Sequence, residues 1–448
     1  MRNTILINKG HDLRISGVPR NHYAELMSIK NVCVMPLEFR DVKPKLIIKK
    51  DDKVKIGSPL FYDKNKPEVK WASPGCGTIK DIVFGPRRVI EKIEIKLDGN
   101  DALMNNEYNP SEIASLSKVE VLENILKSNL FPLIRQRPFN KVPDPNVEPR
   151  DIFISIFNTA PMSVNLEPVI DNNLKAFQAG IDALSRITSG SVYISSGKTY
   201  NFKNAINQKV KGPHPAGNVG VQIHHIDPIN SGEIVWTLGA EDVANIGRYF
   251  NTGIYNPVRT IAVSGPPVKY PQYYKTISGT ELNKIIDDAG IDSKDSLRFI
   301  NGDVLTGSTV EYDNYLGFYN NSLSVLREGN HYRMFGWIPF INNKVPSIYK
   351  TSFSWLFPNK KYDLDTNMNG EERAIVVTGE MEKVFPMDIL PMQLLKECMA
   401  GNIEKMESLG IYEVAPEDFS LIDYSSSSKI EAQYIIRQGL DLMISEVG

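Results

Sequence analysis

The amino-acid sequence predicts a multidomain protein that combines β and α/β domains. Short runs rich in Val and Ile, separated by turns, occupy residues 1–100, which is typical of all-β structure. From Asp151 onward, apolar strand-like runs alternate with amphipathic helical patterns, which indicates a mainly parallel sheet with both faces covered. The final part of the chain is helical in pattern. We therefore expect four domains, at residues 1–105, 106–258, 259–380 and 381–448.

The composition is that of an ordinary globular protein. Hydrophobic residues make up 42% of the chain and charged residues 23%, and the formal net charge is −2. This balance argues against a nucleic-acid-binding protein, which needs a basic excess. No run of about eighteen apolar residues is present, and the N-terminus has no apolar signal core, so we expect a cytoplasmic chain. The cysteines are too few and too far apart for a disulfide framework or a Cys-x-x-Cys metal site; they are Cys33, Cys76 and Cys398.

The first domain resembles the barrel-sandwich hybrid of lipoyl and biotinyl carrier domains. Strand-like runs at residues 46–48 and 60–62 flank turn residues, and another turn enters a strand near Ile79. In carrier domains a lysine at a hairpin tip holds the cofactor, and Lys64 stands near that place, although two extra residues separate it from the Ser-Pro-x-x-Gly turn. A carrier function through Lys64 is an open alternative, which an intact mass without a lipoyl or biotinyl increment would exclude.

Residues 131–143 combine aromatic side chains, fixed positive charges and prolines. They follow a predicted helix at residues 119–130. Phenylalanine can stack on a flat ligand, and arginine offers a planar fork of donors. The segment therefore predicts a site for an anionic or polar-headed aromatic ligand, although a linker with solvated cations is the alternative. The candidate side chains are Phe131, Arg135, Arg137 and Phe139.

The α/β domain, which we expect to be Rossmann-like, lacks nucleotide-binding signals. Strands are predicted at residues 152–157, 192–194 and 235–237, with helices at residues 169–187, after the second strand and from Ala240. No Gly-x-Gly-x-x-Gly follows the first strand. The run from Ser196 to Thr199 resembles the end of a P-loop, but Val192 stands where its first glycine is needed. We therefore expect neither NAD nor ATP to bind this sheet.

A loop rich in Gly, Pro and His precedes the third strand of this sheet. The run from Gly212 to Gly217 cannot be helical, and residues 221–224 alternate like a strand. Such a loop beside a strand-to-helix junction often binds a ligand, which makes His214 a candidate. Packing of the histidines as structural side chains is the alternative, and it applies equally to His224 and His225.

The third domain has the pattern of a β-grasp unit. A strand at residues 259–263 precedes a helix that we expect to begin at Thr280 as N-cap and to end at Gly290, followed by short strands with a Gly turn. An aromatic-rich insertion follows, for which a core is the expected use and a membrane-facing or subunit-facing patch the alternative. Its large aromatic residues are Trp337, Phe340, Phe353, Trp355 and Phe357.

The last domain is predicted to be helical. The side chains of Met392, Leu395 and Met399 share one face of a helix. Ser428 and Glu431 have the spacing of a capping box, which predicts the start of a final helix.

Several short motifs occur in an order that chance does not readily produce. They are Lys9-Gly10-x-Asp12-Leu13, Arg135-x-Arg137-Pro138-Phe139-x-Lys141-Val142-Pro143, His214-Pro215-Ala216-Gly217, Asp227-Pro228, Val235-Trp236-Thr237 and Met387-Asp388-Ile389-Leu390-Pro391. Over nearly its whole length the chain resembles the A subunits of the bacterial sodium-translocating NADH:quinone oxidoreductases. That resemblance also implies that the β-grasp unit is SLBB-like, through kinship with the flavin-bearing subunit of respiratory complex I and with the RnfC protein of Rnf-type complexes.

The resemblance implies a peripheral subunit on the cytoplasmic face of the bacterial inner membrane. Its partners would be the B to F subunits of the complex, chiefly the integral-membrane B subunit. The complex takes electrons from NADH on another subunit and delivers them to ubiquinone while sodium ions cross the membrane. The peripheral subunit itself would have no independent catalytic activity.

The resemblance also bears on cofactors. The related subunits hold flavin, NADH or iron–sulfur clusters, but here serines occupy positions 425–428 and no cysteine cluster is present. We expect no tightly bound cofactor, with ubiquinone as the ligand near Phe131, Arg135, Arg137, Phe139 and His214. An assembly scaffold without any ligand is the remaining alternative.

Overall fold

The computed structural model describes residues 4–25, 29–291, 296–332, 344–348 and 353–447. Within these residues the strands form four sheets, with the orders β1-β13-β12-β11-β14-β10, β18-β17-β19-β15-β16-β2, β3-β9-β8-β5 and β4-β6-β7. The strands are β1 Thr4–Leu6, β2 Arg20–Glu25, β3 Asn31–Val34, β4 Pro44–Leu46, β5 Lys53–Val54, β6 Pro59–Asp63, β7 Lys70–Ala72, β8 Cys76–Phe84, β9 Ile90–Gly99, β10 Arg135–Arg137, β11 Ile152–Ser155, β12 Val192–Ser196, β13 Ile206–Lys211, β14 Val235–Gly239, β15 Val258–Ser264, β16 Gln272–Ile277, β17 Leu297–Asn301, β18 Ser308–Val310 and β19 Ser322–Arg327.

Helices cover the sheets and make up most of the last part of the chain. They are α1 Pro110–Ser115, α2 Lys118–Lys127, α3 Leu166–Asp171, α4 Leu174–Leu184, α5 Val219–Ile226, α6 Ala240–Thr252, α7 Leu282–Ala289, α8 Glu380–Val384, α9 Pro391–Ala400, α10 Ile403–Ser408, α11 Ser420–Ser425 and α12 Ala432–Glu446. In the described residues, no helix is both long and apolar enough to cross a membrane.

The α/β domain contains the mainly parallel sheet that the sequence predicts. Every neighbouring pair in it is parallel except β10 with β14, which is antiparallel. Alternate side chains of β11 face opposite sides, as strand geometry requires. Ile152 and Ile154 join the core that includes α4 and α6, while Phe153 joins a smaller cluster with α5. Both faces of the sheet are therefore covered.

Three predicted elements of this domain were wrong in detail. The predicted helix at 169–187 is two helices, because Asn172 and Asn173 separate α3 from α4. The segment after β12 is a turn and strand β13, which lies between β1 and β12, rather than a short helix. The predicted strand at 221–224 is part of helix α5.

The two sheets of the N-terminal β domain contain the predicted strand–turn–strand unit. Leu46 of β4 pairs with Phe61 of β6 in an antiparallel ladder, and Phe61 stacks on Trp71 with 4.7 Å between ring centroids. The chain start is not part of these two sheets. Strand β1 pairs with β13 of the α/β domain, and β2 pairs with β16. We call the sheet β18-β17-β19-β15-β16-β2 the second mixed sheet. The predicted first domain, residues 1–105, therefore includes two strands, β1 and β2, that belong to sheets of other domains.

The second mixed sheet packs against helix α7. Leu282, Ile285 and Ile286 of α7 lie in one core with Ile261 and Val263 of β15. Gly290 ends the helix, as expected. The expected N-cap was wrong, because the Thr280 hydroxyl donates to the carbonyl of Ile277 instead of accepting from the first turn of the helix.

The aromatic insertion differs from expectation where it is described. Trp337 and Phe340 lie outside the described residues. The side chains of Phe353, Trp355 and Phe357 are exposed, so the expected core use was wrong for these three.

The core of the helical domain is built mainly from α8 to α12, and Ile7, Phe139 and Val210 from earlier parts of the chain also join it. Met392 and Leu395 are buried, as predicted, but Met399 at the end of α9 is exposed. The predicted capping box was wrong, because the Ser428 hydroxyl donates to the carbonyl of Ala374 and α12 begins only at Ala432.

Candidate functional site

The loop after β13 fills the crevice where an α/β sheet usually binds its ligand. That crevice lies at the carboxyl ends of the strands, where the strand order reverses, here beside β11. The Gly217 N–H donates to the Thr159 hydroxyl at 2.8 Å, and a Cβ at Gly217 would lie 2.4 Å from the Thr159 nitrogen. Gln222 of α5 donates to the Ser155 hydroxyl at 3.0 Å. The loop therefore packs directly on the carboxyl end of β11.

A glutamate of the chain also occupies the turn that resembles a P-loop. The N–H groups of Gly197 and Lys198 donate to one carboxylate oxygen of Glu167, at 2.9 and 3.0 Å. The Lys198 ammonium pairs with Asp171. Backbone donors and a lysine of this kind would bind phosphate in a true P-loop. Here the carboxylates of Glu167 and Asp171 occupy these donors.

His214 is buried within the loop after β13 and stays neutral near pH 7. Its ring Nδ1 lies 3.2 Å from the Thr159 hydroxyl, and its backbone N–H donates to Asp12 at 2.8 Å. Burial lowers the pKa of His214 to about 4, against the opposing effect of Asp12. An imidazole that binds a proton only near pH 4 is a poor proton donor at neutral pH.

The other two histidines of this region connect α5 to the helical domain. His224 contacts Glu413 through Nδ1 at 2.7 Å, and its Nε2 accepts from the Asp388 N–H at 2.9 Å. His225 Nε2 donates to the Pro386 carbonyl at 3.0 Å. These contacts agree with the structural interpretation of both histidines.

The two candidate phenylalanines are core residues. Phe131 is fully buried and meets Trp236 edge-on, with 5.7 Å between ring centroids. Phe139 is buried in the core of the helical domain and meets Tyr412 at 6.1 Å. Neither ring is accessible for stacking on a ligand.

Arg137 is held by carboxylates of the chain. Its guanidinium pairs with Glu417 at 2.6 Å and with Asp418 at 3.3 Å, and its side chain is only 1% exposed. Burial raises the pKa of Asp418, and the positive charge of Arg137 opposes this. Carboxylates of the helical domain therefore neutralise the charge of Arg137, at the boundary with the α/β domain.

Arg135 is the one predicted residue that lines a large cavity, which we call the central cleft. The cleft measures about 720 Å³ and lies where all four parts of the chain meet. The Arg135 guanidinium carbon lies 5.1 Å from the ring centroid of Tyr319. The Tyr319 hydroxyl donates to the Pro132 carbonyl at 2.7 Å, which fixes the ring beneath the guanidinium. In the described part of the chain, no carboxylate lies within ion-pair distance of Arg135. The lining residues are Met35, Leu37, Glu38, Arg40, Glu91, Lys92, Arg135, Asn140, Lys141, Val142, Gly302, Asp303, Thr306, Ser308, Tyr319, Asn320, Asn321, Ser322, Pro416, Glu417, Gln433 and Arg437.

Basic side chains outnumber carboxyls around the central cleft. Burial raises the pKa of Glu38 to about 7, although its carboxylate accepts a 2.8 Å hydrogen bond from the Phe318 N–H. Burial also raises the pKa of Asp303. The cleft is therefore more positive at neutral pH than its formal charges indicate. Its basic residues are Arg40, Lys92, Arg135, Lys141 and Arg437.

Several of these cations have internal partners. Lys141 pairs with Asp41 at 2.8 Å, and Arg437 donates to the Phe139 carbonyl at 3.3 Å. The motif from Arg135 to Pro143 contains Lys141 as well as Arg135, so the sequence did indicate part of this cleft. Tyr319, Glu38 and Arg437 are distant in sequence, and no motif indicated them.

Lys64 is exposed in the turn after β6, where the carrier-domain comparison places it. Whether it is modified stays a prediction. Among the described residues, no three His, Cys, Asp or Glu side chains are grouped so that they could hold a metal ion.

Three family models match successive parts of the chain. They are the NqrA N-terminal barrel-sandwich hybrid domain at residues 5–98, the NqrA second alpha/beta domain at residues 116–255 and the NQRA C-terminal domain, of SLBB type, at residues 260–311. A relative from Marinomonas sp., the A subunit of a Na(+)-translocating NADH-quinone reductase, is 36% identical over 444 residues, or 98% of this chain and 99% of its own. The chain belongs to the NqrA family.

Other NqrA relatives match over the same extent. The NqrA protein of Hahella chejuensis is 34% identical over 97% of this chain and 98% of its own. That of Neisseria meningitidis serogroup B is 34% identical over 99% of this chain and 100% of its own. The family models confirm the barrel-sandwich, α/β and SLBB domains that the sequence predicted for this NqrA chain.

Among solved structures, a NAD+-reducing nickel–iron hydrogenase in the H2-reduced state matches with a TM-score of 0.38 and 11% identity. The match covers 75% of this chain and 63% of the hydrogenase chain.

Proposed function

We propose that this NqrA chain is the peripheral, cytoplasmic-face subunit of a sodium-pumping NADH:ubiquinone oxidoreductase and contributes to quinone binding through the central cleft. The relatives that match it end to end are named as the A subunits of such reductases. The chain would dock chiefly on the integral-membrane B subunit and support assembly of the complex. Electrons would reach the quinone from other subunits.

The observation that carries the quinone proposal is the position of Arg135. A quinone ring has a flat face and two carbonyl acceptors. The Arg135 guanidinium, which forms no hydrogen bond through its side chain within the described residues, offers donors in a planar fork. Because Tyr319 supports it from one side, the guanidinium is positioned before a ligand arrives. A cavity of about 720 Å³ is within the range of ordinary ligand sites.

The rim of the cleft suits the apolar tail of ubiquinone. Met35 and Leu37 line the cleft on the side of the β domain, and Leu37 is largely exposed. When an apolar tail covers apolar surface that is exposed to water in the free protein, the free energy of the system falls. The proposed arrangement thus has the ring near Arg135 and the tail across Leu37.

The first prediction concerns Arg135. We expect Arg135→Ala in the full-length chain to weaken binding of a short-chain ubiquinone at least about tenfold, because a hydrogen bond from a charged donor is worth about 1.5–3 kcal/mol. Arg135→Lys should lose less, since one ammonium replaces the fork. Equilibrium dialysis of the purified chain measures the affinity. Arg88→Ala, at an exposed arginine of the β domain, is the matched control and should bind like the wild type.

Two outcomes would contradict the quinone proposal. Absence of quinone binding by the wild-type chain would favour the ligand-free scaffold, and equal affinity of Arg135→Ala would move the quinone away from the cleft. The docking proposal is separate, because it predicts that more of the chain is recovered with membranes when the B subunit is present than when it is absent. The absence of a tightly bound redox centre is likewise a proposal; a purified chain with stoichiometric flavin would contradict it.

A further inference from the structure

One long segment has a charge balance unlike the rest of the chain. Between residues 329 and 362 there are five Lys or Arg and no Asp or Glu, whereas the whole chain has 51 basic and 53 acidic residues. Nine of these 34 residues are aromatic, against 9% of the whole chain. Clustered aromatic and basic residues are typical of segments that bind membrane surfaces. The basic residues are Arg333, Lys344, Lys350, Lys360 and Lys361.

The described end of this segment exposes three consecutive apolar side chains, which we call the apolar tip. Trp355 is 51% exposed, Leu356 54% and Phe357 61%. They lie on and just after a single 3-10 turn, Ser354–Leu356. Isolated exposed apolar residues are ordinary in proteins, but three adjacent large ones form a surface that favours an apolar environment.

The backbone of the apolar tip is fixed to the body of the protein. The Arg14 guanidinium donates to the Phe357 carbonyl at 2.7 Å and to the Ser354 carbonyl at 3.3 Å. The same guanidinium lies 5.4 Å from the ring centroid of Tyr362, which is buried and forms a bridge with Ile15. Because the carbonyls are satisfied from beneath, the tip keeps its shape while its apolar side chains face outward.

Two lysines follow the tip after Pro358 and Asn359. Lys361 is exposed, and the Lys360 ammonium lies 5.0 Å from the centroid of the Tyr362 ring. Lysine is depleted in the cores of protein–protein interfaces. At a membrane surface, in contrast, lysines attract anionic headgroups while neighbouring Trp and Phe enter the boundary of the acyl region. This combination favours a lipid surface over a protein partner.

We propose that the apolar tip inserts into the interface of a bilayer that contains anionic phospholipid, with Lys360 and Lys361 at the level of the headgroups. Trp355, Leu356 and Phe357 enter the boundary between headgroups and acyl chains. The inference rests on the proposed membrane location of the chain and adds a direct lipid contact to it. The tip is a surface anchor and does not span the membrane.

Sedimentation with vesicles tests the proposal on the full-length chain. The wild-type chain should bind vesicles of phosphatidylcholine with about 30% phosphatidylglycerol, because lysines near an anionic surface attract it. Trp355→Ser/Phe357→Ser should lower this partition at least about tenfold, since two large apolar groups are lost. Met104→Ser/Met399→Ser removes two apolar side chains that are 65% and 63% exposed elsewhere, and this matched control should bind like the wild type.

The charge arm uses variants with little risk to folding. Lys360→Gln/Lys361→Gln should weaken binding to anionic vesicles by about tenfold or more and leave the weak binding to pure phosphatidylcholine unchanged. Equal binding by the tip variant, or wild-type binding that ignores anionic lipid, would overturn the proposal.

Assembly separates this inference from the proposed function. If the wild type is recovered with membranes containing the B subunit but does not bind vesicles, the lipid contact is wrong and the docking proposal stands. In that case, loss of recovery in the tip variant would identify the tip as a protein contact. If the wild type is not recovered with such membranes, the proposed function fails.

Discussion

Arg135 and Arg137 lie on the same face of β10, as alternate residues of a strand do, yet their surroundings differ. Arg135 rests on Tyr319 at the edge of the central cleft. Arg137 is covered by the turn that contains Glu417 and Asp418. The difference arises from the helical domain, which covers one end of this short strand and leaves the other open.

The second prediction follows from the burial of this ion pair. Arg137→Ala leaves the fully buried carboxylate of Asp418 with hydrogen bonds but without a cation. Removing one partner of a buried pair typically costs about 3–5 kcal/mol. We therefore expect a marked loss in the free energy of unfolding, measured by urea denaturation with tryptophan fluorescence.

A double variant separates this electrostatic effect from lost packing. Arg137→Ala/Asp418→Asn removes the stranded charge and should recover part of the stability. Arg88→Ala, at an exposed site, should change stability by less than about 0.5 kcal/mol. If Arg137→Ala matched Arg88→Ala, the buried pair would contribute nothing measurable.

The sequence predicted only part of the candidate site, because a short motif shows residue types but does not show which side chains are buried. It identified Arg135, and its motif included Lys141. It could not show that Trp236 buries Phe131, that Glu417 and Asp418 neutralise Arg137, or that Asp12 and Thr159 enclose His214. Each of these contacts joins residues far apart in the chain. Only the folded arrangement of domains decides them.

At the scale of elements, strong local signals were reliable and short apolar runs were not. The strand β14 and helix α6 began where the sequence placed them, because an apolar run leads directly into a long amphipathic pattern. Helix α5 was misjudged as a strand. Val219, Ile223 and Ile226 form its apolar face at helical spacing, but four alternating residues fit either structure.

The third prediction concerns the contact between α4 and α6. A Cβ at Gly247 would lie 1.8 Å from the Ala176 carbonyl oxygen and 2.5 Å from the Gly180 nitrogen. These are backbone atoms, so the helices must move apart. We expect Gly247→Ala to destabilise the α/β domain by about 1–3 kcal/mol, despite a gain in helix propensity of up to about 1 kcal/mol. Thermal unfolding should show a Tm lower by about 2 °C or more.

Gly439→Ala in α12 is the matched control for this helix contact. Its added Cβ would meet the Cys398 sulfur at 2.6 Å and the Met406 sulfur at 3.3 Å. Both belong to side chains that can adjust, so the loss should be smaller than for Gly247→Ala. A Gly247→Ala variant at least as stable as the wild type would show that the two helices are not held at this distance.

At the scale of the whole molecule, the first 25 residues connect domains that the sequence treats as separate. Strand β1 is the edge of the α/β sheet, and β2 is the edge of the second mixed sheet. The sequences of these two strands do not indicate which strand each one pairs with, because an edge strand can pair with any compatible neighbour. The central cleft exists for the same reason only after all four parts of the chain have assembled, and no single motif could have predicted it.

The final prediction tests this connection by hydrogen–deuterium exchange with mass spectrometry. Deleting residues 1–25 exposes the backbone of β13 and β16, so amide exchange should become faster in both strands. Exchange in β8 and β9 should not change, because these strands pair with each other and with β3 and β5. Faster exchange in β8 and β9 would contradict the assignment of the chain start to the other two sheets.

Gly17→Val is the selective companion variant, since Gly17 has φ +75° and its added Cβ would lie 2.1 Å from the Gly265 carbonyl oxygen. It should displace β2 and accelerate exchange in β16, and it should leave β13 protected because β1 stays in place.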